Sequence, residues 1–388
     1  MLRSLYSGIS GLHAHQTMLD VTANNIANVN TTGFKSSSVE FQDTLSQLIS
    51  GGTGATSPET GSTNPAQIGL GVRVAAIATN FAEGSAESTG KQTDLMINGD
   101  GFFQVQTGGQ TQYTRDGSLS FDTQGRLVTS DGAFVQGWTA TNGTISDSGA
   151  VGNITLPMNS IAAAKATTTA TLTGNLPDDA ATGTAVERDI PVEDANGVQS
   201  NLPLTFTKNA TGWDVNDGTA TIGTVTYNNG VLSSPGTMTT TSGITVNVSG
   251  TTGYAGINSL QLGSVDGSAA GTLESYTIGN DGTITGTYSN GTTSAIARIA
   301  VASFTNPGGL EKAGDSTYTA TASSGTATVT TAGTNGTGNL SSGYLEMSNV
   351  DLSQEFTNLI VAQRGFQANA RIITTSDQIL QELVALTQ

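Results

Sequence analysis

The sequence predicts a mainly β protein with an α-helix at each end, built from nested domains. In this fold the N- and C-terminal helices form a coiled-coil core, and outer β-barrel or β-sandwich domains surround it. At both ends apolar residues recur at alternating steps of three and four, which is typical of a coiled-coil seam. The long middle of the chain is rich in Gly, Thr, Ser and Asn, and its short apolar runs are separated by turn dipeptides, which favours β-structure.

The predicted seam occupies a narrow face of each terminal helix, so the helix itself cannot cover it. The simplest partners are the other terminal helix and further copies of the chain. Three polar residues interrupt the seam: Gln16, Gln363 and Asp377. One interpretation is that they stay hydrated at the edge of the seam. The other is that they fix the register of neighbouring helices or face an aqueous lumen. The predicted seam consists of Leu2, Leu5, Ile9, Leu12, Leu19, Ile26, Leu352, Phe356, Leu359, Phe366, Ile373, Leu380 and Val384.

The elements follow in the order helix, β-structure and helix. A helix is expected over about 2–27, and the Gly/Ser/Thr/Pro stretch 51–65 is expected to be a linker. Strands are predicted at 72–77, 95–105, 126–135 and 296–304, and Trp213 is expected to anchor a small core in a further β-region. Asp351-Leu-Ser-Gln354 resembles a capping box and begins the last helix.

This order predicts a nested domain organisation in which the chain runs outward and then returns. We expect a terminal helical coiled-coil domain of 1–27 plus 350–388, a connecting region of 28–70 plus 335–349, an inner β-domain of 71–170 plus 271–334, and an outer β-domain of 171–270.

The amino-acid composition excludes several classes of partner and chemistry. Only 13 of the 388 residues are basic and the net charge is −17, so nucleic acid and anionic lipid are unlikely partners on electrostatic grounds. The absence of cysteine excludes disulfides and thiol catalysis. The sequence shows neither an apolar run long enough to span a bilayer nor the pattern of a cleaved signal peptide, so we expect an exported protein to keep its N-terminus.

Residues that carry chemistry are sparse, and we expect no catalytic, cofactor-binding or metal site. The only histidines, His13 and His15, are two residues apart in the predicted helix and so point to different faces. Several aspartates stand beside glycine in turn dipeptides, where Asp serves backbone geometry. They are Asp100, Asp116, Asp131 and Asp281.

Both ends resemble one protein family. Residues 23–35, Ala-Asn-Asn-Ile-Ala-Asn-Val-Asn-Thr-Thr-Gly-Phe-Lys, resemble the signature of bacterial flagellar rod and hook axial proteins, and 352–371 resemble its terminal segment. The signature contains Asn24, Asn25, Ile26, Ala27, Asn28, Asn30, Gly33 and Phe34. Within this family the hook proteins are the nearest resemblance, on segments 64–72, 95–103, 286–291 and 304–310.

The resemblance implies a structural, non-enzymatic subunit of the bacterial flagellum. Copies would stack into the short curved tube that joins rod to filament, a universal joint for motility, with the terminal helices lining a central channel. The implied partners are further copies of the chain, the rod, hook-cap and hook–filament junction proteins, and the type III export apparatus. The implied location is extracellular, in the hook and basal body.

Two other interpretations remain at this stage. A distal-rod subunit of the same family is the nearer one, although the extra segment 171–270 argues against it. A secreted β-rich adhesin or glycan-active enzyme with coiled-coil ends is the other, but it leaves the asparagine-rich segment 24–30 unexplained.

Overall fold

The computed structural model describes residues 2–52, 54, 61–141, 143–157 and 161–385, apart from the side chains of Leu2 and Leu383. The chain divides into two compact units. The first unit contains 1–156, 277–284 and 295–388, and the second contains 157–276 and 285–294. The finer four-part division stays a prediction, and residues 53 and 55–60 of the predicted linker lie outside the described part.

One long helix lies at each end, as predicted. Helix α1 spans Leu2–Ala27 and helix α2 spans Leu352–Ala385. The Asp351 carboxylate accepts hydrogen bonds from the backbone N–H groups of Ser353 (2.8 Å) and Gln354 (3.3 Å), so it caps α2. The Gln354 side chain donates a hydrogen bond to Asn358 within the helix instead of reaching back to Asp351. Of the predicted capping box, only the hydrogen bonds accepted by the Asp351 side chain are therefore formed.

Strands of the first stretch of chain are β1 (Ser37–Asp43), β2 (Ser46–Ser50), β3 (Ala66–Gly69), β4 (Val72–Thr79), β5 (Ala86–Ser88), β6 (Leu95–Asn98), β7 (Phe102–Thr107), β8 (Gln110–Thr114), β9 (Leu119–Phe121), β10 (Leu127–Thr129), β11 (Phe134–Thr139) and β12 (Gly152–Asn153). Strands of the middle are β13 (Ile161–Ala162), β14 (Thr169–Asn175), β15 (Ala185–Glu193), β16 (Gln199–Lys208), β17 (Trp213–Asn216), β18 (Thr221–Val225), β19 (Tyr227–Asn228), β20 (Val231–Leu232), β21 (Thr237–Thr239), β22 (Thr245–Thr252), β23 (Gln261–Val265) and β24 (Gly271–Ile278). Strands of the last stretch are β25 (Thr283–Tyr288), β26 (Thr293–Ser303), β27 (Glu311–Gly314), β28 (Thr317–Thr319), β29 (Thr328–Thr331), β30 (Asn339–Ser342) and β31 (Tyr344–Glu346).

The first unit is organised around an antiparallel sheet with the order β26-β11-β7-β8-β28-β27. Strands β7 and β26 both carry fully buried side chains, among them Phe103 and Val105 of β7 and Ile299 and Val301 of β26. The strand predicted over 95–105 is interrupted, because Gly99 and Gly101 have φ angles of +110° and +139° and separate β6 from β7.

The second unit has its own core between two four-stranded sheets. The sheet β15-β16-β17-β18 contributes Phe206 and Trp213, and the sheet β21-β22-β14-β23 contributes Leu172 and Val246 to the same buried cluster. The expectation that Trp213 anchors a core in this region is confirmed. Over the described residues the strand orders are those of open sheets, so the sandwich form of the prediction applies and the closed barrel does not.

A buried cluster of charges joins distant parts of the first unit. The Lys35 Nζ lies 2.5 Å from Glu346 Oε1, and the Arg115 Nη1 lies 3.5 Å from Glu346 Oε2. The backbone takes part as well, since Lys35 donates to the Ala82 carbonyl and the Gly84 N–H donates to Glu346. Burial lowers the pKa of Lys35, and the hydrogen bond and charge of Glu346 oppose that shift.

We expect Glu346→Gln to lower the free energy of unfolding of the first unit by about 3–5 kcal/mol, because it leaves two buried cations without a counter-charge. Denaturant unfolding followed by circular dichroism measures the loss. Asp147→Asn is the matched control: Asp147 pairs with Arg298, but its side chain is 45% exposed, so we expect a loss below about 1 kcal/mol. Equal losses in the two variants would contradict a special role for the buried cluster.

Candidate assembly interface

The two terminal helices pack against each other along a line of small residues. A Cβ placed on Gly11 would lie 2.8 Å from the Asn369 side chain, and a Cβ on Gly365 would lie 2.5 Å from the His15 ring. A Cβ on Gly8 would make an ordinary contact of 3.5 Å with α2. Glycine in a helix interior costs about 1 kcal/mol relative to alanine. The close approach of the two helices explains the glycine at position 11 of α1 and at position 365 of α2, whereas position 8 has room for a Cβ.

The buried line of α1 differs from the predicted seam. Gly8, Gly11, Ala14, Thr22 and Asn25 are buried, and all of them fall between the predicted seam positions. The seam side chains of α1 remain at least partly accessible in the single chain: Leu5, Leu12, Leu19 and Ile26 are half-buried, Ile9 is 43% exposed, and the side chain of Leu2 lies outside the described part. The larger apolar line of α1 is therefore left with accessible surface.

The seam of α2 is covered unevenly. Leu359, Phe366, Ile373 and Leu380 are half-buried. Leu352, Phe356 and Val384 are 39%, 52% and 58% exposed. Gln16, Gln363 and Asp377, which interrupt the predicted seams, are all exposed in the single chain.

A second apolar line on α2 was missed by the sequence analysis. Val361, Ile372 and Ile379 are 54%, 43% and 47% exposed. Their spacings of 11 and 7 residues bring them to one helix face, since a helix turns by about 100° per residue. Ile360, which is 55% exposed, lies about 100° around the helix from this line, on the side of Phe356. The 11-and-7 spacing was the available signal, but the more regular 3-4 pattern obscured it.

The connecting region also exposes apolar side chains. Strands β2 and β3 pair as an antiparallel ribbon, and the predicted linker 51–65 lies between them in the sequence. Leu45, Leu48, Ile49 and Ile68 are between 45% and 81% exposed on or beside this ribbon. An isolated two-stranded ribbon is marginally stable in water, so this ribbon is a further surface that would gain from a partner.

The asparagine-rich signature forms side-chain hydrogen bonds where the chain leaves α1. The Asn25 side chain is buried; its Oδ1 accepts from the Ser37 N–H, and its Nδ2 donates to the Ser37 carbonyl (2.8 Å) and to Glu355 of α2 (3.0 Å). The Asn28 amide donates to the Asn24 carbonyl and accepts from the Thr31 hydroxyl. Asn25 thus ties the last turn of α1 to the first residue of β1 and to α2, and Asn28 ties α1 to the residues that follow it.

Glycine is required at the end of the signature. Gly33 has a φ angle of +65°, and a Cβ there would lie 2.6 Å from the carbonyl carbon of Arg115. Beside it, the Lys312 ammonium lies 5.1 Å from the centre of the half-buried Phe34 ring. Of the remaining signature residues, Ile26 and Asn28 are half-buried, and Asn24, Ala27 and Asn30 are exposed.

The histidines and turn aspartates take part in packing and turn geometry. His13 is exposed, whereas the ring of His15 packs beside Gly365 and lies 6.0 Å from the centre of Phe41. The Asp116 carboxylate accepts hydrogen bonds from Thr32 and Ser118, and burial raises its pKa.

Within the described residues there is no group of three or more His, Cys, Asp and Glu that could hold a metal ion. Among the helices described, none is long and apolar enough to cross a membrane.

Comparison with known proteins gives matches at both ends and in the middle of the chain. Residues 5–35 match a family described as flagella basal body rod protein, 96–172 match the flagellar hook protein FlgE/F/G D1 domain, and 341–386 match the flagellar basal body rod FlgEFG protein C-terminal family.

Whole-length relatives are found as well. The flagellar hook protein FlgE of Borreliella burgdorferi is 39% identical over 100% of both chains. The flagellar basal-body rod protein FlgG of Bacillus subtilis is 35% identical over 100% of this chain and 99% of its own. The crystal structure of Helicobacter pylori flagellar hook protein FlgE2 aligns with a TM-score of 0.50 over 67% of this chain and 100% of that chain. At 13% identity this last likeness supports the fold alone. The identity along the whole length shows that the chain belongs to the flagellar hook protein FlgE family.

Proposed function

We propose that the chain is a structural subunit of the bacterial flagellar hook, which polymerises into a curved, flexible tube that transmits torque from rod to filament. The observation that carries the assembly part of this proposal is the exposed apolar surface on both terminal helices. Phe356, Ile360 and Val361 are each more than half exposed in the single chain. Burying such a side chain is worth about 1.5–3 kcal/mol, which favours contact with further copies.

The proposed partners are copies of the same chain in a helical homopolymer, together with the rod, hook-cap and hook–filament junction proteins and the export apparatus. The proposed location is the extracellular hook and basal body. We favour the hook over the distal rod because the identity to a hook protein, 39%, is higher than the 35% to a rod protein. A non-enzymatic role agrees with the structural family.

A hook must bend, so some contacts between subunits must rearrange while others persist. Apolar seams on the helices suit the persistent contacts, because packed apolar surfaces resist continuous deformation. The second unit contains many Thr, Ser, Asn and Gly residues at its surface, and such polar surfaces suit hydrated contacts that exchange partners. We therefore assign cohesion to the terminal helices and adjustment of curvature to the second unit.

The first test of this assignment is Phe356→Asp. We expect the variant to stay folded as a single chain, because Phe356 is 52% exposed, but to lose polymerisation, because every contact between copies would bury an unpaired charge. Electron microscopy of the purified protein measures tube formation. Val198→Asp, at a position 63% exposed in the second unit, is the matched control and should still form tubes. Normal tubes from Phe356→Asp would show that subunits do not meet at this line.

The second test removes the outer part of the second unit at a point that the structure defines. Lys165 and Ser268 exchange two backbone hydrogen bonds of 2.9 Å, and Ile161 and Ala162 pair with Thr272 and Gly271. The two chain segments therefore run side by side where they enter and leave the module, so a short linker joins them without strain. We expect replacement of 166–267 by a short Gly/Ser linker to preserve export and tube formation but to alter curvature.

Imaging of the tubes made by this deletion variant decides the matter. Tubes of unchanged curvature would contradict the role assigned to the second unit. Failure to polymerise, in a variant whose first unit is shown to be folded by circular dichroism, would contradict the assignment of cohesion to the terminal helices.

A further inference from the structure

Two of the segments that resemble hook proteins meet at a cavity within the first unit. The cavity has a volume of about 220 Å³. It is lined by 100–102 from one segment, by 304–305 and Pro307 from the other with the adjacent Ser303, and by Phe81 and Arg115. A water molecule occupies about 30 Å³ of the liquid, so the cavity has room for a ligand of several non-hydrogen atoms. The assembly surfaces described above do not use it.

The walls of the cavity are aromatic. The ring centres of Phe81 and Phe102 are 5.4 Å apart, those of Phe102 and Phe304 are 5.8 Å apart, and both pairs meet edge to face. The Arg115 guanidinium lies 5.3 Å from the centre of the Phe102 ring. The cavity thus places one cation beside three aromatic rings, with Asp100, Ser303 and Thr305 also in the lining. A cation beside apolar rings recognises a ligand with one charged end and one apolar end.

Arg115 has hydrogen-bonding capacity that the protein leaves unused. The residue is only 3% exposed, and its Nε is buried without an acceptor among the described residues. Its one carboxylate contact, from Nη1 to Glu346, is long at 3.5 Å. A buried donor without an acceptor is costly, so a ligand that supplies an acceptor is favoured.

The local charge is also unbalanced. The side chains of Lys35, Arg115 and Glu346 are at most 2% exposed, and this cluster of two cations contains one carboxylate. Of the other carboxylates nearby, Glu83 is exposed, and Asp100 is exposed where it lines the cavity. One more negative charge inside the cavity would neutralise the cluster.

We propose that this cavity binds a carboxylate carried on a short apolar stem. The carboxylate accepts hydrogen bonds from Arg115, which presents N–H donors in the planar geometry that carboxylates match, and the stem lies among Phe81, Phe102 and Phe304. A free small carboxylate is one source of this group. A glutamate side chain of a second copy of the chain is the other, since it has the same chemistry.

The test titrates the unpolymerised chain with butyrate, using 1-butanol and butylamine as probes of matched size, and measures binding by isothermal titration calorimetry. We expect saturable butyrate binding at least tenfold tighter than that of 1-butanol, and no binding of butylamine. Ser303→Leu, which places a larger side chain in the lining of the cavity, should weaken butyrate binding at least tenfold. Asp100→Asn should strengthen it, because a negative charge is removed from the lining.

Arg298→Lys is the control, because Arg298 pairs with Asp147 and Asp281 away from the cavity, and it should bind butyrate like the parent chain. Equal binding of butyrate and 1-butanol would overturn the proposal, as would the absence of binding or binding that Ser303→Leu leaves unchanged. None of these measurements requires polymerisation, so they stand apart from the test of the hook function.

Assembled tubes then distinguish the two sources. If the unpolymerised chain binds butyrate and tubes do not, a glutamate of a second copy fills the cavity in the polymer. If tubes bind butyrate as tightly as the unpolymerised chain does, the site serves a free carboxylate. Both results follow from the proposed chemistry.

Discussion

The arrangement of the first unit depends on the buried contact of Glu346 with Lys35 and Arg115. Lys35 follows α1 by eight positions and Glu346 precedes α2 by six, so one ion pair fixes the backbone beside both terminal helices. A second bond, from the Gly33 N–H to the Glu346 carbonyl at 2.8 Å, adds to this constraint. A buried ion pair adds little net stability compared with an apolar replacement, but losing one partner is costly. The cluster therefore acts mainly by allowing one arrangement of the ends.

This constraint gives the two apolar lines of α1 different roles. The line of small residues through Gly8 and Gly11 contacts α2, and the contact is close because these residues have no side chain. The line of larger residues, which includes Ile9, keeps accessible surface. A helix pair joined through small residues keeps its large apolar side chains free for other contacts, which is what a subunit with an assembling surface requires.

Much of the fold was predictable from local patterns, and the main exceptions are long-range. The apolar periodicity predicted both helices, and Asp351 marked the start of α2. The sequence did not predict that Glu346 pairs with Lys35, because the two are 311 positions apart and no local pattern links them. Periodicity also does not say whether an apolar line packs within the chain or between chains, so the assembly seam of larger apolar residues stays a prediction. The strand predicted at 95–105 is divided into β6 and β7, because the two glycines between them form a turn that interrupts the apolar run.

The second unit shows how a chain can carry a large addition without disturbing its ends. Its core is complete in itself, with Trp213 and Phe206 from one sheet packed against Leu172 and Val246 from the other. Within this unit the bridge between Lys165 and Ser268 brings the two ends of segment 166–267 side by side, so that segment imposes little separation on the backbone that flanks it. Because contacts inside such a module are satisfied locally, its surface is free to change in sequence while the charged cluster and helix pair of the first unit stay the same.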